Sequence, residues 1–388
     1  MKKLLFVIGN FYPAQSGGPS NTVYWLAKGL VKNRFHVTVA TSRKGITPEL
    51  KKRHSIRFDA KNEINGIHAY YFGYRLNRYL SPGLYVWLFK NLKYYDFVNV
   101  TSYFFPVSWL TALLCAMFKV PFSVAPRGEL EDNAIKFNRV VKLFFINWFL
   151  KKLYSKAEFF LATSAQEEMF IKKYLYKDQT IEILPNLIDL EGRGYLNSGE
   201  IISKRNILYL GKIHRKKAIE KLIEAYNLLS PDLAKEHRLI ITGGGGNNRY
   251  FKFLKKTAGE SKYSEYIEFL GHKIAEGKDD LYRKSKVFVL PSDSENFGNV
   301  VIESLSFSTP VVASRFTPWS ELETANAGLY VDNSPQEIAQ AIQAILCLDE
   351  EKYKNMCNSA FEFVNNNFNL DSEIPKLAGI LDTYCGKL

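Results

Sequence analysis

Two carboxylates, Glu295 and Glu303, stand with seven residues between them in the stretch PSDSENFGNVVIESLSFSTPVVAS, residues 291–314. A carboxylate accepts two hydrogen bonds side by side, which suits a pair of sugar hydroxyls. Asn296, Phe297, Gly298 and Asn299 form a turn-like run between them, directly after the strand-like VFVLPS. A helix starting near Phe297 or Gly298, capped by Asp293, Ser294 or Asn296, would aim its free backbone N–H groups at an anion. Glu295 would precede that helix, and Glu303 would lie about one and a half turns inside it. A capped surface helix with a solvated Glu303 fits the same residues, so this stretch alone leaves two readings open.

Other segments carry chemistry of a related kind. In LYLGKIHRKKAIEKLIEAY (208–226) a strand ends at Gly211, and Lys212, His214, Arg215, Lys216 and Lys217 follow before a helix. Such a loop can hold a diphosphate, or it is a solvated basic turn. FYPAQSGGPSNTVYWLAKGL (11–30) passes Gly17 and Gly18 into a helix, and the glycines permit a close backbone approach to a ligand. The spacing is not GxGxxG, so the dinucleotide fingerprint is absent. GHKIAEGKDD (271–280) has one residue too many between its glycines for a P-loop, and Asp279 where Ser or Thr is needed. ITGGGG (241–246) is a phosphate loop or a flexible turn. The segment 136–156 carries six Lys and Arg and no acid, interleaved with Phe137, Phe144, Phe145, Trp148 and Phe149. That composition suits a helix on an anionic membrane surface; a core-facing helix with a basic outer side is the plainer reading. No DNA- or RNA-binding motif accompanies it, which argues against nucleic acid.

The elements that must position these groups follow from the alternation of short β-branched or aromatic runs with longer amphipathic ones. Strands are expected at 3–9, 36–42, 67–72, 97–102, 122–126 and 159–164, then at 206–211, 238–244, 267–271, 287–292, 310–314 and 328–332. This βαβα rhythm predicts an α/β protein with parallel sheets covered by helices. Twelve strands are too many for one open sheet, so two doubly wound sheets are expected. A chain of 388 residues, 46% hydrophobic, accommodates two such domains. The polar, glycine-containing stretch 186–206 marks their seam. Residues 1–190 hold 27 Lys and Arg against 13 Asp and Glu, whereas residues 191–388 carry a net charge of −1. All the excess positive charge therefore lies in the first half, which should face something anionic. Cys115, Cys347, Cys357 and Cys385 form no CxxC pair, and no histidine stands at zinc spacing, so reduced structural thiols are expected. MKKLLFVIGNFYP has too short an apolar run for a signal peptide and reads as a first strand. The longest apolar stretch, 104–118, is too short to span a bilayer; a cytoplasmic protein without a transmembrane helix is expected. The tail 368–388 reads as a last helix, interrupted at Pro375.

Taken in order, these segments resemble the retaining nucleotide-sugar glycosyltransferases of family four. The resemblance rests on the E-x7-E pair in SENFGNVVIES, on LGKIHRKKAI, and on ILPNLID (183–189), with Gly17-Gly18 after strand one and Thr163-Ser164 before a helix in support. It implies the GT-B fold: two doubly wound Rossmann-like domains facing a cleft. Residues 1–190 would bind the acceptor, with the C-terminal helix 370–388 packing back on them, and 191–369 would bind the nucleotide-sugar. It further implies that Glu303 binds the ribose hydroxyls and Glu295 the donor sugar. Phe297, Gly298 and Asn299 would face sugar and diphosphate, Gly17 and Gly18 would also line the donor, and Lys217 would hold the leaving diphosphate. Lys212 stands where the family has Arg, keeping the charge but not the bidentate fork. Ala218 and Leu187 replace two of the family's glycines. In APRGEL (125–130), Arg127 takes the place of a histidine and would contact donor phosphate or acceptor.

The chemistry so implied is transfer of a hexose from a UDP- or GDP-sugar, with retention, to a hydroxyl of a glycan acceptor. The acceptor would be lipid-linked, in cell-surface polysaccharide assembly at the inner face of the plasma membrane. The nucleotide-sugar is a substrate; no cofactor and no metal are expected, because cationic side chains meet the leaving charge. A sugar-nucleotide epimerase of the same fold, and a non-catalytic module for anionic ligands, are the competing readings.

Overall fold

Strand β1, Lys3–Ile8, is apolar at five successive positions, as a strand covered on both faces must be. Its alternate side chains serve two cores. Leu4, Phe6 and Ile8 enter one, and Leu5 and Val7 enter the other. In the computed structural model, residues 1–14, 18–73, 81–136, 138–175, 178–244, 249–271 and 275–385 are described. They form two compact units, Met1–Asp189 with Leu370–Leu388, and Leu190–Asn369.

The first unit contains β1, β2 (His36–Ser42), β3 (Lys61–Ile64), β4 (Ile67–Phe72), β5 (Phe97–Thr101), β6 (Phe122–Ala125), β7 (Phe159–Ala162) and β8 (Ile181–Ile183). Their order in the sheet is β3-β4-β2-β1-β5-β6-β7-β8. All pairs are parallel except β3 with β4. At this edge the short turn Asn65-Gly66 adds one antiparallel strand to the parallel sheet that was expected. The helix Gly18–Lys32 covers one face together with the last helix, Leu370–Tyr384. Gly29 makes their approach possible, because a Cβ there would stand 2.7 Å from Cγ1 of Ile374. Pro375 does not interrupt the last helix; it sits in the second turn and removes one N–H donor.

The second unit is a six-stranded, all-parallel sheet of β9 (Asn206–Leu210), β10 (Leu239–Thr242), β11 (Ile267–Gly271), β12 (Ser285–Leu290), β13 (Val311–Ser314) and β14 (Gly328–Val331). Their order is β11-β10-β9-β12-β13-β14. The chain runs outward from β9 through β10 to β11, then returns to β12 and runs outward the other way. The switch point therefore lies between β9 and β12, whose following loops emerge side by side. In open α/β sheets this is where ligands bind. Gly243, just after β10, packs on the same end: a Cβ there would fall 1.6 Å from the carbonyl oxygen of Gly211. Among the described residues no helix is long and apolar enough to cross a membrane.

Candidate active site

The loop after β9 carries the basic cluster, and the loop after β12 carries Glu295. They are joined backbone to backbone, with Asp293 N–H donating to the carbonyl of Lys216 at 2.9 Å. Lys217 and Glu295, 78 residues apart in sequence, form an ion pair on Oε1 of the carboxylate. Ser292 Oγ donates to the same oxygen at 2.9 Å. Glu295 Oε2 has no partner among the described residues. Lys212 is exposed and belongs to no ion pair among the described residues. His214 is held below its ordinary pKa, by partial burial and then by the ammonium groups of Lys212, Lys217 and Lys216. These cations thus lie around His214 on the loop that follows β9. Ala218 adopts a left-handed φ of 46° to start the helix Ile219–Asn227.

The helix behind Glu295 is shorter than its sequence suggests, spanning Asn299–Leu305. Gly298, at φ 86°, takes the cap position and brings no side chain to cap it. Asp293 is drawn away to Lys221 at 3.0 Å and Asn333 at 2.7 Å. A Cβ on Gly298 would press on Leu290 at 3.3 Å and on Trp319 at 3.4 Å. Phe297 is buried, its ring 5.0 Å from Trp319 and 5.8 Å from Phe368, and its carbonyl accepts from the Trp319 indole. Its side chain and carbonyl are thus committed to packing. Asn299 opens the helix at the mouth of this loop. Of the glycine pair in the first unit, Gly18 begins a helix, and Gly17 lies outside the described residues.

Glu303 repeats the pattern of Glu295. Its Oε2 accepts from the Tyr282 hydroxyl at 3.0 Å and pairs with Lys278, and its Oε1 has no partner among the described residues. Lys278 and Tyr282 stand four apart on the helix Ala275–Lys284, hence on one face. Burial and the adjacent Glu303 carboxylate push the Tyr282 phenol well above its ordinary range, so it remains a donor. The backbone carbonyl of Tyr282 is anchored in turn by the buried Lys204 Nζ and by Thr309 Oγ1. Sequence reasoning missed Lys278 and Tyr282 because their segment registered only as a failed P-loop. The signal present was a lysine and a tyrosine at i and i+4.

In the first unit Arg127 follows β6 with φ 55° and donates from Nη1 to Asn186 Oδ1 at 3.1 Å. Nε and Nη2 are buried without a hydrogen-bond partner among the described residues. Two neighbouring carboxylates are occupied elsewhere. Glu167 accepts from Gly128 N–H and from Thr163, and Glu129 accepts from the N–H groups of Tyr103 and Phe104. No group of His, Cys, Asp and Glu suited to a metal ion occurs among the described residues.

Two parallel-sheet α/β units, the second with its loops paired at a switch point, define the GT-B class of glycosyltransferase folds. Residues 16–191 match the family model described as "Glycosyltransferase Family 4", and residues 198–363 match the one described as "Glycosyl transferases group 1". The chain belongs to this family of glycosyltransferases. It is 32% identical over 127 residues to the O-antigen chain mannosyltransferase B of Escherichia coli, covering 32% of either chain. Matched segments span from 32% to 69% of the length of such curated relatives. In fold it is similar to the sucrose-phosphate synthase of Thermosynechococcus elongatus (TM-score 0.77, 18% identity, 99% of each chain). It is also similar to the Anabaena protein HepE solved with UDP-glucose (TM-score 0.75, 17% identity, 99% of this chain and 100% of that one).

Proposed function

We propose that the chain is a retaining hexosyltransferase, moving a hexose from a UDP- or GDP-sugar to a hydroxyl of a glycan acceptor. The observation that carries this reading is the matched construction of Glu295 and Glu303. Each is fixed at one oxygen by a lysine and a hydroxyl, and each keeps its other oxygen for a ligand. In this reading Glu295 takes the donor sugar and Glu303 the ribose. The bond from the anomeric carbon to the diphosphate oxygen breaks, and its electron pair goes to the diphosphate. Lys217, Lys212 and the N–H groups from Gly298 and Asn299 stabilise that charge, so the reaction takes no cofactor and no metal. The acceptor oxygen bonds to the same face of the anomeric carbon, and its proton passes to the departing diphosphate. The relative named as an O-antigen mannosyltransferase and the fold neighbour holding UDP-glucose support a nucleotide-hexose as donor.

The reading extends to a lipid-linked acceptor at the inner, anionic face of the plasma membrane. On the helical segment 139–154, Val140, Val141, Phe144 and Trp148 are 82%, 70%, 65% and 72% exposed, while Ile146 and Leu150 turn into the core. Segments 82–95, 106–119 and 133–156 pack as neighbours and hold nine Lys and Arg without an Asp or Glu. Apolar side chains set among unopposed cations fit an interfacial surface for anionic lipid.

The decisive experiment is thermal stabilisation by a panel of UDP- and GDP-hexoses. A ligand at a hundred times its Kd stabilises by about 2.7 kcal/mol, so a donor raises the melting temperature measurably in the wild type and much less in Glu303→Gln. No shift with any member would overturn the reading.

A further inference from the structure

The site holds one cation that the proposed chemistry at the anomeric carbon does not use. Lys278 pairs with Glu303, not with the basic loop that faces the diphosphate. An ammonium has three N–H donors and accepts nothing. One donor of Lys278 goes to Glu303 Oε2, and the other two have no hydrogen-bond partner among the described residues. The Tyr282 hydroxyl is spent on the same Oε2. A lysine that merely neutralised a carboxylate would gain most by sharing both oxygens with the tyrosine. Here both donors crowd onto one oxygen and leave Oε1 open beside an ammonium with donors to spare. The outcome is an acceptor and a donor set next to each other on two side chains mostly shielded from water. A vicinal diol presents the complementary pair: one hydroxyl donates its proton, and the oxygen of its neighbour accepts one.

We infer that Lys278 and Glu303 read the ribose diol jointly, Glu303 Oε1 accepting from one hydroxyl and Lys278 Nζ donating to the other. Lys278 is then a specificity-determining residue, selecting ribonucleotide over deoxyribonucleotide donors. Tyr282 is a positioning residue that keeps Oε2 occupied and Oε1 turned outward. This rests on the nucleotide-sugar reading above and adds to it the group that recognises the second hydroxyl.

Titration calorimetry with UDP or GDP, whichever binds the wild type, and with its 2′-deoxy and 3′-deoxy forms tests the assignment. Removing one partner of a charged hydrogen bond costs about tenfold in affinity or more, so the wild type should bind both deoxy forms at least tenfold more weakly. In Lys278→Met the parent nucleotide should weaken about tenfold. The penalty for losing one of the two hydroxyls should then vanish, while the other persists. Lys278→Arg, which keeps charge and donors, should restore part of the lost penalty and guards against a Met variant that folds poorly. Tyr282→Phe should reduce both penalties together. Equal weakening of all three ligands by Lys278→Met, or two unchanged penalties, overturns the inference and leaves the donor reading standing. Failure of the wild type to bind either nucleotide overturns both.

Discussion

Glu295 and Lys217 act on each other through a single carboxylate oxygen, with Ser292 as the third member. A glutamate alone is commonly solvated; what supports the proposed role of Glu295 is that its geometry is fixed from one side and open on the other. Groups that share one contact are not additive when removed. Glu295→Gln and Lys217→Met should each lower turnover about a hundredfold, the range for a lost charge-stabilising group. The double variant should fall little further, and steady-state kinetics on the three proteins checks this. Full multiplication of the two losses would mean that the residues work independently. The residue types were legible in the sequence, and so was the spacing of the two glutamates. Their lysine partners were not, because nothing local ties Lys217 to Glu295 or Lys278 to Glu303.

At the scale of elements, the site depends on a buried anchor beneath it. Lys204 is fully buried and donates to the carbonyls of Tyr282 and Phe307 and to Thr309 Oγ1 at 2.6 Å. It thereby joins the end of one helix to the turn that closes the helix of Glu303. Burial lowers its pKa to about 7 from an ordinary 10.5. Between these values the unfolded chain holds a proton that the folded protein does not. The stability Lys204 contributes is therefore present above pH 10.5 and is lost as the pH falls to about 7, with a slope of at most about 1.4 kcal/mol per pH unit. Urea unfolding from pH 7 to 10 should show the wild type gaining on Lys204→Met as the pH rises; parallel curves would refute the assignment. The elements themselves show where sequence patterns fall short. β3 has one buried residue in KNEI and β8 only three residues, so neither gives a period to read. The basic segment 136–156 reads as one helix, yet Asn138 at φ 59° separates Asp132–Lys136 from the helix that follows.

For the whole molecule the asymmetry of charge supports the proposed anionic partner of the first unit. The exposed Phe144 and Trp148 rings stack at 6.1 Å and face solvent, which is costly for a protein with nothing to cover them. Co-sedimentation with vesicles rich in anionic phospholipid should show binding that weakens with added salt. Phe144→Ser with Trp148→Ser should reduce it roughly tenfold or more, since burying such side chains contributes about 1.5–3 kcal/mol each. Retention of full binding in the double variant, or equal binding to neutral vesicles, would remove the membrane from the proposal.

By itself the sequence determined the α/β class and twelve of the fourteen strands among the described residues, and it supplied residues whose chemistry suits sugar and phosphate. It did so because strand and helix periods are local, and because carboxylate, ammonium and glycine declare their chemistry wherever they stand. Tertiary structure alone decided that the loops after β9 and β12 adjoin, for that follows from the order of strands in the sheet. It alone decided which oxygen of each glutamate is occupied and which has no partner among the described residues.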